Sequence, residues 1–239
     1  MSEPAAHRNA IHSAIRIAIV GAESTGKTAL AQALAARLGD LTGLRSTWVP
    51  ELLRQWCDAH QRTPRQDEQG RIADAQQRLI DAAAASHDLV VCDTTPLMTA
   101  VYSAHVFSDH SLDAQALAWQ QGCDLTLLTA LDLPWVADGL QRDGPQVREP
   151  VDQRIRALLI AGGLGWSVVA GCGDARLEAA VDAVAPLLRQ CSTRGGGLFS
   201  RLAERDAAAP EWRWTCDNCD LPGCEHALLR QQRASSTGY

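Results

Sequence analysis

Lysine is almost missing from this chain of 239 residues: Lys27 stands alone beside 21 arginines. Abundant Ala and Arg beside a single Lys is what a biased genome composition produces, so the scarcity by itself carries no argument and the informative fact is where the one lysine sits. Positive charge is short overall, with a formal net charge of −6 and a pI near 5.6. That argues against general nucleic-acid binding, which shows a basic footprint. No apolar run approaches the roughly 20 residues needed to cross a bilayer, and the N-terminus lacks the apolar stretch of a secretory signal. A cytoplasmic protein without a membrane anchor is expected. The eight cysteines then do not read as an extracellular disulfide framework. Five of them, Cys57, Cys92, Cys123, Cys172 and Cys191, are scattered through α/β-like sequence and read as small buried or incidental thiols.

What is present is sharper. Lys27 lies inside Gly21-Ala22-Glu23-Ser24-Thr25-Gly26-Lys27-Thr28, which fits the phosphate-loop pattern G-x-x-x-x-G-K-[ST]. Glycines let the backbone curl so that its N–H groups face a β-phosphate, the lysine reaches the β- and γ-phosphates, and the Thr28 hydroxyl ligates Mg²⁺. A guanidinium fork is a poor substitute for a compact ammonium there. The bland reading, a glycine turn with an incidental lysine, requires the flanks to be arbitrary, and they are not. Ile15–Val20 is short, β-branched and largely apolar, as a buried parallel strand is. Thr28–Leu38 carries Leu30, Leu34 and Leu38 on one face, with Gly39 as the expected C-cap.

Further strands are expected at Arg45–Val49, Leu89–Cys92, Leu125–Ala130 and Ser167–Ala170. Helices are expected over Asp67–Ala85, with Ile72, Ala75, Leu79 and Ile80 facing inward, and over Asp174–Leu188, with Leu177, Val181, Val184 and Leu188 inward. Strands alternating with helices predict an α/β domain of three layers with a five-stranded parallel sheet. The organisation predicted is a leader (1–13), a phosphate-loop domain (14–191), a linker (192–211) and a small Cys/His-rich tail (212–239).

Ligands of open α/β sheets gather beyond the carboxyl ends of the strands. Asp93 follows the third strand, where the acid of phosphate-loop proteins helps hold Mg²⁺. With Thr28 it forms the candidate magnesium pair, and it is also a catalytic and substrate-contacting candidate. Glu51 and Arg54 follow the second strand. Glu51 reads either as a helix cap or as a base or acceptor for a substrate hydroxyl, and substrate contact is favoured. The run from Gln141 to Pro150 is charged and punctuated by Gly and Pro, before a helix expected near Val151. A lid there would bring Arg142 and Arg148 onto transferring phosphate and exclude water; the alternative is solvated surface charge.

These residues resemble the ribosylnicotinamide kinase domain of NadR-type proteins over about residues 15–190. The resemblance rests on the phosphate loop, on Glu51-Leu-Leu-Arg54, Gln77-Arg78 and Cys92-Asp93-Thr94, and on Asp132-Leu-Pro-Trp-Val-Ala-Asp138-Gly139. It implies a phosphate-loop nucleoside-kinase-like fold, with transfer of the ATP γ-phosphoryl to the 5′-hydroxyl of nicotinamide riboside. ATP and Mg²⁺ are the implied cofactors, and Asp138 joins the substrate candidates. Longer family proteins carry a nucleotidyltransferase domain ahead of the kinase, and the short stretch before Ile15 sets the expectation of a kinase domain without it. Where the family has aromatic residues before the strand-two Glu and after the Gln-Arg pair, this chain has Pro50 and Leu79, with Trp48 and Trp56 as replacements at hand. The lid arginine arrives one residue late, as Arg142.

In the tail, Cys216, Cys219, Cys224 and His226 form C-x-x-C-x-x-x-x-C-x-H. This set suits tetrahedral Zn²⁺, which could fold a segment too short for its own core; a redox or disulfide pair and unligated thiols are the other readings. The function expected is a small-molecule kinase. The alternative is a nucleotide-dependent ATPase or switch whose tail engages a partner protein.

Overall fold

The computed structural model describes residues 14–136 and 144–192. The leader, the tail with its four candidate zinc ligands, and Asp138 and Arg142 lie outside these residues. Five strands, β1 (Ile15–Val20), β2 (Ser46–Val49), β3 (Leu89–Asp93), β4 (Leu125–Thr129) and β5 (Ser167–Val169), alternate with seven helices among the described residues. The helices are α1 (Lys27–Thr42), α2 (Leu52–His60), α3 (Gln66–Ser86), α4 (Pro96–Phe107), α5 (Asp113–Gln120), α6 (Arg148–Ala161) and α7 (Gly173–Ser192). The sheet is wholly parallel in the order β2-β3-β1-β4-β5.

Because side chains alternate across a strand, each strand feeds two cores. Ile17 and Ile19 of β1, Leu89 and Val91 of β3 and Leu127 of β4 meet Leu30, Leu34 and Leu38 of α1 and Val181, Val184 and Leu188 of α7 on one face. On the other face Val20 and Leu128 meet α4, α5 and α6, and Val49, Val90 and Cys92 meet Ile80 of α3. This is the expected three-layer arrangement. Full burial of each such aliphatic side chain is worth about 1.5–3 kcal/mol.

Four local expectations are corrected. Helix α1 continues through Gly39 and ends at Gly43, whose φ of 72° and N–H bond to the Gly39 carbonyl make it the C-cap. The register of α3 is turned: Ile72, Ala73, Gln76 and Ile80 are its buried face, while Leu79 is 42% exposed. Asp93 is the last residue of β3 rather than the first beyond it. Finally, α6 begins at Arg148, after a 3₁₀ turn at Pro145–Val147, and not near Val151. No helix among the described residues is long and apolar enough to cross a membrane.

Candidate nucleotide and acceptor site

At the end of β1 the chain turns sharply into α1. A Cβ on Gly21 would stand 1.9 Å from Thr129 Oγ1, so no side chain fits. Gly26 caps α1 with φ 73°, a conformation that glycine alone enters without cost. Between them a chain of hydroxyls sets the curl: Thr129 Oγ1 donates to Thr25 Oγ1 at 2.7 Å, and Thr25 Oγ1 donates to the Ala22 carbonyl at 2.8 Å. Ser24, with φ 56°, exchanges two bonds with the backbone of Val136, accepting from its N–H at 2.9 Å and donating to its carbonyl at 2.8 Å. The segment after β4 thus leans on the loop, with Leu133 against Gly26.

Lys27 opens α1, where unpaired amides and the macrodipole favour an anion. Its Nζ donates to the Ala22 carbonyl at 2.8 Å. Burial pulls its pKa below the ordinary lysine value, against the opposing pull of the Glu51, Asp93 and Glu23 carboxylates. Asp93 shows the mirror effect. Burial raises its pKa, while the Thr28 hydroxyl, the Lys27 and Arg54 charges and the backbone N–H of Glu51 pull it down. Thr28 therefore lies near enough to Asp93 to act on its carboxyl, and Asp93 Oδ1 is buried with no hydrogen-bond partner. A buried oxygen left open beside a threonine hydroxyl fits the two protein ligands that Mg²⁺ takes when phosphates and water complete its shell. Among the described residues no group of three His, Cys, Asp or Glu could form an all-protein metal cage.

Glu51 stands at the N-cap position of α2, but its side chain makes no capping hydrogen bond. The carboxylate lies 3.7 Å from Arg54. Buried Gln76 of α3 holds this turn, its Oε1 accepting from Leu52 N–H at 2.7 Å and its Nε2 donating to the Pro50 carbonyl at 3.2 Å. Gln77, the residue quoted in the sequence motif, bonds instead to Asp81 on the surface. Neither candidate aromatic replacement is free for a ring sandwich. Trp48 packs into the core under α1, and Trp56 stacks on His60 at 4.0 Å with the Arg62 guanidinium 4.7 Å from its ring centre.

Arg148 is not on a mobile surface. It is 8% exposed at the start of α6, and its Nε and Nη2 have no hydrogen-bond partner. A buried guanidinium with open donors is costly unless an anion meets it.

The sequence reading passed over three residues that shape this site: Gln76, Thr129 and Arg176. Arg176 and Gln76 each interrupt an otherwise apolar helical stripe, Arg176 with Ala180 and Val184, Gln76 with Ile72 and Ile80. A polar side chain on a buried stripe is a signal readable from spacing once the helix phase is known. Thr129 offered no such signal.

The family model described as an AAA domain matches residues 16–176. Two solved structures with the same fold are NadR in complex with NR and NadR in complex with NAD and AMP-PNP. The first is 20% identical with a TM-score of 0.58, aligning 73% of this chain with 51% of that one. The second is 17% identical with a TM-score of 0.57, aligning 86% of this chain with 52% of the other. This chain therefore spans about half the length of those proteins. A search of curated protein sequences finds no match.

Proposed function

The chain belongs to the AAA-domain family, and we propose that it is an ATP-dependent small-molecule kinase whose acceptor is a nucleoside-like hydroxyl, with nicotinamide riboside the leading candidate. The observation that carries this reading is the buried, unpartnered Asp93 Oδ1 at the carboxyl end of the sheet, in a carboxyl acted on by Thr28 and Lys27 of the phosphate loop and by the Glu51 turn. The choice of acceptor draws support from the fold shared with NadR, one of whose solved structures holds NR.

In this reading the amides of residues 21–28 and the Lys27 ammonium hold the β- and γ-phosphates. Thr28 and Asp93 would hold Mg²⁺, which supplies positive charge to the phosphate oxygens. The acceptor hydroxyl oxygen bonds to the γ-phosphorus as the bond to the β–γ bridging oxygen breaks, and ADP leaves with that electron pair. Glu51 receives the hydroxyl proton, and Arg54, one helical turn away, holds its carboxylate in place. Arg148, with its open guanidinium nitrogens, neutralises charge on the moving phosphoryl, joined by Arg142 and with Asp138 at the acceptor. Positioning and charge neutralisation make up nearly all of such catalysis.

The test incubates the protein with Mg-ATP and a panel of acceptors including nicotinamide riboside, other nucleosides and thiamine-like cations, with products read by mass spectrometry. Phosphorylated nicotinamide riboside, formed at least about 10²-fold more slowly with Lys27→Ala, supports the reading. Slow acceptor-independent hydrolysis with no phosphorylated product in the panel rejects it in favour of a nucleotide switch. For the tail, we propose a structural Zn²⁺ on Cys216, Cys219, Cys224 and His226, checked by metal analysis of the purified protein against Cys216→Ser.

A further inference from the structure

Arg176, in the first turns of α7, is buried to 5% side-chain exposure, and its guanidinium joins three separate segments. Nη2 donates to the Thr25 carbonyl in the phosphate loop at 2.9 Å and to the Ala130 carbonyl beyond β4 at 3.4 Å. Nη1 donates to the Gly171 carbonyl in the β5–α7 turn at 2.7 Å and to Asp132 Oδ1 at 2.8 Å. Asp132 closes the arrangement by accepting from Gly171 N–H at 2.5 Å through its other oxygen.

We propose that Arg176 is a positioning residue for the phosphate loop, aiming the Gly26 N–H at the triphosphate by gripping the Thr25 carbonyl from behind, with Asp132 as its anchor. The geometry follows from the peptide unit itself. In a planar trans peptide the carbonyl of one residue and the N–H of the next point in opposite directions, so fixing Thr25 C=O toward Arg176 fixes Gly26 N–H toward the other side. Gly26 is the residue most in need of this, because its left-handed backbone is free to turn. A planar fork can hold several carbonyls in one plane, which an ammonium on a flexible stem cannot. The full positive charge also lies directly behind the anion cradle, adding to the field of the α1 terminus.

The proposal rests on the kinase reading only in requiring that the loop bind a nucleoside triphosphate. Its test therefore needs no acceptor. Isothermal titration calorimetry with Mg-AMP-PNP compares wild type, Arg176→Gln, Arg176→Lys, Asp132→Asn and the double variant Arg176→Gln/Asp132→Asn. Arg176→Gln is expected to weaken binding about tenfold or more, as loss of a charge-assisted contact does. Arg176→Lys, which keeps the charge but loses the fork, should sit nearer the Gln variant than wild type. Asp132→Asn should weaken binding less, and the double variant should be no weaker than Arg176→Gln, because the two side chains act as one unit. Asp132 is partly exposed, so its variant keeps the fold even where Arg176→Gln does not. Affinity within about twofold of wild type for folded Arg176→Gln, or, where that variant does not fold, for Asp132→Asn, overturns the proposal while leaving the kinase reading intact. Additive losses in the double variant overturn the anchoring by Asp132. A wild type that takes up no Mg-AMP-PNP overturns both readings.

Discussion

Around Gly21–Thr28 the shape of the site is carried by main chain: carbonyls of Ala22 and Thr25, the backbone of Val136 and the glycine conformations are what the hydroxyls and cations grip. Around α2 it is carried by side chains. Glu51 and Arg54 pair there at 3.7 Å, the Gln76 side chain braces the turn, and Cys57 is the only residue of α2 that is buried. The loop is braced from β4, α7 and the segment after β4 together, whereas α2 leans chiefly on α3. A site built in this way is rigid where it would meet the feature common to all nucleoside triphosphates and adaptable where it would meet its particular acceptor. Single substitutions should therefore fail differently at the two ends.

The largest effect is expected at Lys27. Lys27→Ala should cost about 10²–10³ in kcat, the scale for removing one donor aimed at developing charge, as read by product formation. Lys27→Met should at the same time leave the protein no less stable, because a buried ammonium whose pKa is pulled down by desolvation is a cost to the fold. The sign under pH follows. With the folded pKa below the unfolded value of 10.5, the unfolded chain binds more protons in that window, so this group's contribution to stability rises with pH toward 10.5. Urea unfolding at stepped alkaline pH should show that rise in wild type and lack it in Lys27→Met. A Lys27→Met protein with an unchanged alkaline rise would remove Lys27 as its source.

Next in size is Asp93→Asn. The amide preserves shape but gives up the charge that faces Thr28 and Lys27, and a loss of about 10²-fold in kcat is expected. Raising free Mg²⁺ should recover part of that loss if the carboxylate holds the cation, and none of it if Asp93 only orders the Glu51 backbone. Steady-state rates across a magnesium titration separate the two.

The contrast between the two ends also explains what could be read from the sequence. Gly21, Gly26 and Lys27 are demanded by backbone geometry, and such demands leave a fixed spacing in the chain. The sheet is legible for a related reason: runs such as Ile17–Val20 and Leu89–Cys92 are apolar on both faces because helices cover both. Helix phase was less so. In α3, alanines fill so many positions that Leu79 looked inward, while the buried stripe runs through Gln76. A fixed motif could not reveal that Gln76 rather than Gln77 braces Pro50 and Leu52, since only the turn of the helix decides it. Arg148 looked like part of a lid because Gly144 and Pro145 precede it, yet those two residues start a 3₁₀ turn that delivers Arg148 into the interior.

That difference in phase gives a sharper test of the α2 side. Gln76→Leu strands the Leu52 N–H and the Pro50 carbonyl, at about 1–3 kcal/mol for a buried group left unpaired, and lets the Glu51 turn drift. The expected result is an acceptor KM raised about tenfold with the ATP KM little changed. Gln77→Leu, on the surface one residue away, should do neither. Equal effects from both variants, or an ATP KM that moves with the acceptor KM, would erase the distinction between the two ends of the site.

The smallest effect is expected in the cap that starts α3, after α2 in the chain. Glu68 accepts two 2.7 Å bonds from Arg62 and one at 2.8 Å from the Arg65 N–H. The Arg62 contact leads in pulling its pKa from 4.5 to about 2. A carboxylate with a depressed folded pKa contributes stability that is present above 4.5 and lost as pH falls toward 2. Because Glu68 is only partly buried, with its side chain 22% exposed beside a 38% exposed Arg62, that contribution is screened and modest. Glu68→Gln should lower the Tm slightly at neutral pH and converge with wild type near pH 2, while Mg-ATP affinity stays unchanged. Arg62 also lies over Trp56, so a rise in acceptor KM for Glu68→Gln without any change in ATP affinity would extend the adaptable half of the site outward from Glu51 to this cap.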